Sequence, residues 1–263
     1  MRQAPIDFAS YIGPGYFLRL SAMDHALRGL HGRSFLEIGP GRGDIAAWLV
    51  SRGGAGTLVD TSPASIDFLR NRFGNSRGFT LSSDLAGVDA PEGGFGLAVA
   101  LEVLEHVPDD AGLLREMHRL LSPDGSVVIS VPAFMRRWGR LDECVGHLRR
   151  YERGDILRIL SEAGFPDARL ICYGFPVCAV FSLMRRIYYK KAFRRVSHES
   201  DEARTGRSGV ERPLETHSRL LVRFLYALLA PMLLIQKMTL GAELGEGWIA
   251  VAVKPPEGAS DAR

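Results

Sequence analysis

The stretch LEVLEHV, residues 101–107, sets Glu102, Glu105 and His106 at spacings i, i+3 and i+4. On a helical turn the three heads would share one face. Two carboxylates and an imidazole can ligate a divalent cation, line a ligand pocket or move a proton. They can equally be the polar side of an ordinary turn. A second group lies in GHLRRY, which brings His147, Arg149, Arg150 and Tyr151 together after Asp142. A histidine near its reference pKa can take a proton from a hydroxyl or amine. Arginines can grip a carboxylate or phosphate through paired nitrogens. The plainer alternative is exposed ion pairs, with Tyr151 packed near a helix start.

A third group precedes both. In EIGPGRGD, Gly39, Gly41 and Gly43 alternate. This is not the dinucleotide fingerprint G-x-G-x-x-G, because residue 44 is Asp. Such glycines let a chain turn sharply and approach a ligand without a Cβ in the way. Asp60 closes the apolar run GTLVD, where a carboxylate can accept both hydroxyls of a ribose. Asp84 follows the next apolar run, within reach of an adenine amino group. A tight turn with two solvated acids would explain any one of these; the three together point to a nucleoside-bearing cofactor.

The elements that must position these residues are legible as alternating strands and helices. RSFLEI, GTLVD, GFTLSSDL, GFGLAVAL and SVVISVP read as strands. DIAAWLVSRG reads as a helix from Asp44, and SPASIDFLRNRF as one with Ser62 as N-cap and Pro63 at its first position. After Pro108 a helix carries Leu113, Leu114, Met117, Leu120 and Leu121 on one stripe, and SPDG turns the chain into the next strand. GHLRRYERGDILRILSEAGF is a loop and then a helix ending at Gly164. ARLICYGF and GWIAVAVKP are the last two strands. Alternation of this kind predicts an α/β, doubly wound parallel sheet that binds ligands beyond the strands' carboxyl ends.

At these residues the chain resembles the class I S-adenosylmethionine-dependent methyltransferases. LEIGPGRGD is similar to their first motif, LVDTS to the second, SSDL to the third and LAVALEVLEHVPDD to the segment after the fourth strand. The resemblance covers about residues 33–173, with Trp248–Val253 as a last strand. It implies a Rossmann-like sheet of seven strands with the final one antiparallel. It implies S-adenosylmethionine contacts at Gly39, Gly41, Gly43, Asp60, Asp84 and Leu85, Glu37 supporting the loop, and Leu101 and Glu102 lining the cofactor. His147 is the expected base, with Tyr151 and His106 beside it as catalytic candidates. Ubiquinone-pathway O-methyltransferases and small-RNA 3′-end methyltransferases hold a cation on the matching Glu, Glu and His, the latter with a distant second histidine. The corresponding set here is Glu102, Glu105, His106 and His147. Most relatives with this segment bind no metal, so a divalent cation is compatible but not expected. D-x-x-x-x-G-H-x-R-R-Y also resembles bacterial methyltransferases of lipid, polysaccharide and natural-product pathways.

The expected organisation is an N-terminal lid over 1–32, where Tyr11 and Tyr16 flank a Gly-Pro-Gly turn, and a core over 33–174. A helical cap is inserted over 175–245, followed by a last core strand over 246–255 and a disordered tail over 256–263. The cap contains an apolar stretch over 220–235, broken by Arg223 and Pro231 and too short to span a bilayer. It also contains RRIYYKKAFRR over 185–195, which suits anionic headgroups or, less well, RNA. A net charge of only +3 gives no general reason to expect nucleic acid. Cys144, Cys172 and Cys178 lack ligand spacing and are odd in number, and no apolar leader opens the chain. The expectation is a reduced, cytoplasmic setting, peripheral to the inner membrane face if the cap touches lipid. The expected acceptor is a hydroxyl or amine on a small lipophilic or natural-product-like molecule. The alternatives are a metal-dependent RNA methyltransferase and a non-catalytic cofactor-binding or membrane-associated protein. Oligomeric state is not legible.

Overall fold

A computed structural model of the chain describes residues 14–30, 32–74, 78–177 and 231–256. Tyr11, Cys178, the basic run 185–195, most of the cap and nearly all of the tail lie outside the described residues, as does the side chain of Tyr16.

Seven strands form one sheet in the order β3-β2-β1-β4-β5-β7-β6. They are β1 (Ser34–Ile38), β2 (Ala55–Val59), β3 (Phe79–Ser82), β4 (Phe95–Leu101), β5 (Leu121–Pro132), β6 (Ala168–Tyr173) and β7 (Gly247–Val253). β1 to β5 pair in parallel, while β7 enters antiparallel between β5 and β6. The central strands are apolar on both faces, as burial on both sides requires. Phe35, Leu97, Val99 and Val128 join one core, beneath the helices α1 (Pro14–Ala26), α2 (Asp44–Val50) and α3 (Pro63–Phe73). Leu36, Ile38, Ala98 and Ile129 join the other, beneath α4 (Asp110–Leu120) and α5 (Arg153–Glu162).

The local signals act as physical chemistry dictates. Ser62 Oγ accepts the Ser65 N–H and Pro63 opens α3. Asp109 Oδ1 accepts the Gly112 N–H at 2.7 Å to start α4. Leu114, Met117 and Leu120 are buried along the α4 stripe, whereas Leu121 already begins β5. α2 ends at Val50, sooner than its apolar run suggests, with Gly53 at φ 88 turning the chain away. SPDG is a bulge within β5 rather than a turn ahead of it. Asp124 has φ 59, and the pairing jumps from Phe95↔Leu121 to Leu97↔Ser126.

Of the cap, residues 231–239 are helical. Gln236 fixes this helix: its Oε1 accepts the Gly174 N–H at 2.8 Å and its Nε2 donates to the Leu18 carbonyl at 2.9 Å. Among the described residues no helix is long and apolar enough to cross a membrane.

Candidate functional site

The parallel strands end on one edge of the sheet, and the singled-out residues follow that edge in strand order. Asp84 lies beyond β3, Asp60 beyond β2, the glycine loop beyond β1, and Leu101 and Glu102 at the end of β4. An elongated ligand laid across these ends would meet them in succession. The loop needs its glycines. Gly39 has φ 62, and a Cβ there would stand 2.6 Å from Val103 Cγ2. Gly43 has φ 71, and a Cβ there would meet the Phe73 ring at 2.6 Å. Gly41 is also left-handed, at φ 54. Beneath the loop Glu37 is 3% exposed, with Oε2 unpartnered among the described residues. Burial, and then the Asp44 carboxylate, push its pKa up to about 8.

Asp60 Oδ1 accepts the Ser62 N–H at 2.9 Å, which anchors this carboxylate at the strand end. Asp84 Oδ1 accepts the Ala86 N–H at 3.0 Å, and Leu85 packs against the core. These residues fit a nucleoside-bearing cofactor in kind and in order. Their donors and acceptors are fixed by backbone contacts that precede any ligand.

LEVLEHV does not form the single polar face that its spacing allows. Only Leu104–His106 turns, as a 3-10 helix, and Glu102 adopts φ 56. The Glu102 carboxylate therefore departs from its neighbours. It accepts the Ser130 hydroxyl at 2.8 Å and the Tyr173 hydroxyl at 3.2 Å, and pairs with Arg19 at 3.5 Å. Arg19 ties α1 to the end of β4. Sequence reading missed it, although a lone cation inside FLRLSAM was the available signal.

Glu105 goes the other way. It is fully buried, and neither carboxylate oxygen has a hydrogen-bond partner among the described residues. Burial, and then the Glu102 charge, drive its pKa well above the usual carboxylate range. His147 Nε2 approaches Glu105 Oε1 to 3.8 Å, and the His106 and His147 rings meet edge-on at 4.9 Å. Ligand atoms of Glu105, His106 and His147 all lie within 4.8 Å of one another. Glu102 is not part of this cluster, so the four-residue metal set becomes three.

Both imidazoles are held the same way. His147 Nδ1 lies 2.9 Å from Asp142 Oδ1, and His106 Nδ1 lies 3.1 Å from the Gly146 carbonyl. A carboxylate and a carbonyl only accept, so each Nδ1 carries a proton. Burial, and then the His147 ring, lower the His106 pKa and keep it neutral. Asp142 is itself buried and also accepts Arg150 Nε at 2.8 Å and the Gly139 N–H at 2.8 Å. Burial alone would raise its pKa; the hydrogen bonds from His147 and Arg150 hold it below its ordinary value. Replacing Asp142 by Asn keeps the shape but removes the charge that fixes the His147 tautomer. We expect kcat to fall about tenfold to a hundredfold with KM for the cofactor unchanged, measured by steady-state kinetics.

The arginines of GHLRRY are engaged rather than open. Arg150 serves Asp142, and Arg149 pairs with Asp110 at 2.9 Å. Tyr151 is not at the reacting end either. It is 2% exposed, and its hydroxyl donates to Asp110 Oδ2 at 2.8 Å. Burial, and then Asp110, drive its pKa far upward, so it stays protonated. Its backbone bridges Ala133 beside the end of β5. Tyr151→Phe should cost about 1–2 kcal/mol, a drop of a few degrees in Tm by calorimetry, with cofactor affinity unchanged.

Comparison with known proteins agrees with this geometry. The family model described as a methyltransferase domain matches residues 16–169. The ubiquinone biosynthesis O-methyltransferase of Alkalilimnicola ehrlichii is 35% identical over 119 residues, covering 43% of this chain and 47% of that protein. Its counterpart from Pseudomonas aeruginosa is 34% identical over 119 residues, with 43% and 50% covered. The chain spans about half the length of these curated relatives. Among solved structures, Haemonchus contortus phosphoethanolamine N-methyltransferase 2 with S-adenosyl-L-methionine shares the fold at a TM-score of 0.58 and 17% identity, covering 95% of this chain and 55% of that one. An S-adenosylmethionine-dependent methyltransferase from Mesorhizobium loti gives a TM-score of 0.52 and 18% identity, covering 88% and 95%. The sheet order, the left-handed glycine loop and the matched domain therefore agree, and the chain belongs to the class I S-adenosylmethionine-dependent methyltransferases.

Proposed function

We propose that this protein methylates a hydroxyl or amine of a small, lipophilic acceptor. The observation that carries the reading is the His147 imidazole, with Nδ1 2.9 Å from buried Asp142 and Nε2 3.8 Å from buried Glu105, just past the carboxyl end of β4. S-adenosylmethionine supplies an electrophilic methyl group on a sulfonium sulfur. Gly39, Gly41, Gly43, Asp60, Asp84, Leu85 and Leu101 hold it along the strand ends. The Arg19–Glu102 pair lies where the cofactor's charged amino-acid end would meet it. His147 Nε2 would accept the acceptor's proton as the acceptor's bond to the methyl carbon forms and the sulfonium sulfur–methyl bond breaks, leaving a neutral thioether, and Asp142 would stabilise the imidazolium. The O-methyltransferase names of the curated relatives support a hydroxyl on a lipophilic molecule.

The test is methyl-labelled S-adenosylmethionine added with purified protein to a host extract. We expect label in the lipid or small-molecule fraction. Label in RNA would replace this reading with the RNA alternative. Tight cofactor binding with no label anywhere would replace it with a non-catalytic role.

A divalent cation at Glu105, His106 and His147 is a second reading, favoured by the orphaned Glu105 carboxylate. One carboxylate and two imidazole lone pairs suit Mn²⁺ or Zn²⁺, and a cation there would polarise the acceptor oxygen. On this second reading purified protein carries close to one metal per chain by elemental analysis, and Glu105→Gln loses it. Protein that is metal-free and whose activity survives exhaustive chelation would remove this reading and leave His147 as the base alone.

A further inference from the structure

The helix over 231–239 carries apolar side chains on its outer face as well as its inner one. Its amide, Gln236, is 1% exposed and bonded to Gly174 and Leu18. Met232 and Leu233 pack inward against Leu18 and Val177, yet three more apolar side chains face outward: Leu234 is 64% exposed, Ile235 37% and Met238 87%. These positions fall on one side at helical spacing, opposite Gln236. A helix that keeps an exposed apolar ridge in addition to its packed face is matched to an apolar or interfacial partner.

The surroundings indicate which partner. Lys237 adjoins this ridge, and Arg28 and Arg169 lie nearby, all three exposed. None of the three forms an ion pair among the described residues. Burial lowers the His25 pKa, and Arg169, Arg28 and Lys237 lower it further against Asp24 alone, so the local field is positive. Arg169 projects from β6 on the α1 side, the face taken by Ile171 and Tyr173. A second copy of this chain is a poor match, since a two-fold contact would set these cations against their own images. A bilayer with anionic headgroups meets both features, taking the apolar ridge below the headgroups and the cations among them.

We propose that the outer face of residues 231–239, with Lys237, Arg28 and Arg169, docks the protein on anionic phospholipid membrane. The basic run 185–195 lies outside the described residues and is no part of this face.

The test is flotation of the full chain with phosphatidylcholine vesicles, with and without phosphatidylglycerol. We expect flotation only with phosphatidylglycerol, weakening as salt is raised. L234E/M238E should reduce binding at least tenfold, and R169E/K237E about tenfold. Both pairs are exposed, so an unchanged melting curve should accompany the loss. No flotation with anionic vesicles, or binding undiminished by either double variant, would overturn the proposal. So would wild-type dimers in sedimentation velocity that L234E/M238E converts to monomers, since the face would then join copies. Cofactor binding by calorimetry is measured alongside. Its failure would strike the methyltransferase reading and leave the docking result intact.

Discussion

Replacing His147 by Ala should lower turnover by about a thousandfold, with affinity for S-adenosylmethionine within a few fold of wild type. The effect is large because three features converge on one atom. Asp142 occupies Nδ1, the ring is only 14% exposed, and Nε2 faces the buried Glu105 rather than solvent. A base oriented this way loses little rotational freedom when it takes a proton. The cofactor residues lie on other elements, beyond β1, β2 and β3, so their affinity should hold. Single-turnover rates and calorimetric titration, run on the same preparation, separate the two quantities. Near-normal turnover would remove His147 from the chemistry. A parallel collapse of cofactor affinity would make it a structural residue.

Asp60→Ala should do the opposite and weaken cofactor binding about a hundredfold. A carboxylate accepting two ribose hydroxyls makes charge-assisted hydrogen bonds worth about 1.5–3 kcal/mol each. Asp60 also holds the Ser62 N–H at the start of α3, so a small loss of stability should accompany the change. Isothermal titration gives the affinity, and a melting curve isolates the contribution of the helix start. An unchanged dissociation constant would mean that the ribose lies elsewhere along the strand ends. Set beside His147→Ala, this variant resolves binding from chemistry.

The cofactor edge was legible because its signals are local. Each of Gly39, Asp60 and Asp84 sits just past an apolar run, and the run itself predicts the strand. Once the strands are parallel, their carboxyl ends must share an edge. The cluster of Glu105, His106 and His147 was only half legible. The spacing of Glu102, Glu105 and His106 assumes one continuous helical turn. The backbone instead reverses at Glu102, toward Ser130, Tyr173 and Arg19, residues distant in sequence. Tyr151 looked reactive beside His147, yet its hydroxyl is spent on Asp110 from another helix.

By itself the sequence determined the parallel α/β core, the glycine loop, the acids at the strand ends and the closeness of Asp142 and His147 along the chain, whereas their pairing came only with the structure. These depend on hydrophobic period, backbone conformation and close spacing, which are properties of neighbours along the chain. Tertiary structure alone decided the rest. It placed β7 between β5 and β6, sent Glu102 and Glu105 to opposite surroundings, and buried Glu105 under a segment that includes Leu148, whose N–H donates to the Glu105 carbonyl at 2.7 Å. It also left Leu234, Ile235 and Met238 exposed on the helix over 231–239. Burial and charge pairing depend on which distant side chains arrive, so they are settled only when the whole chain has packed.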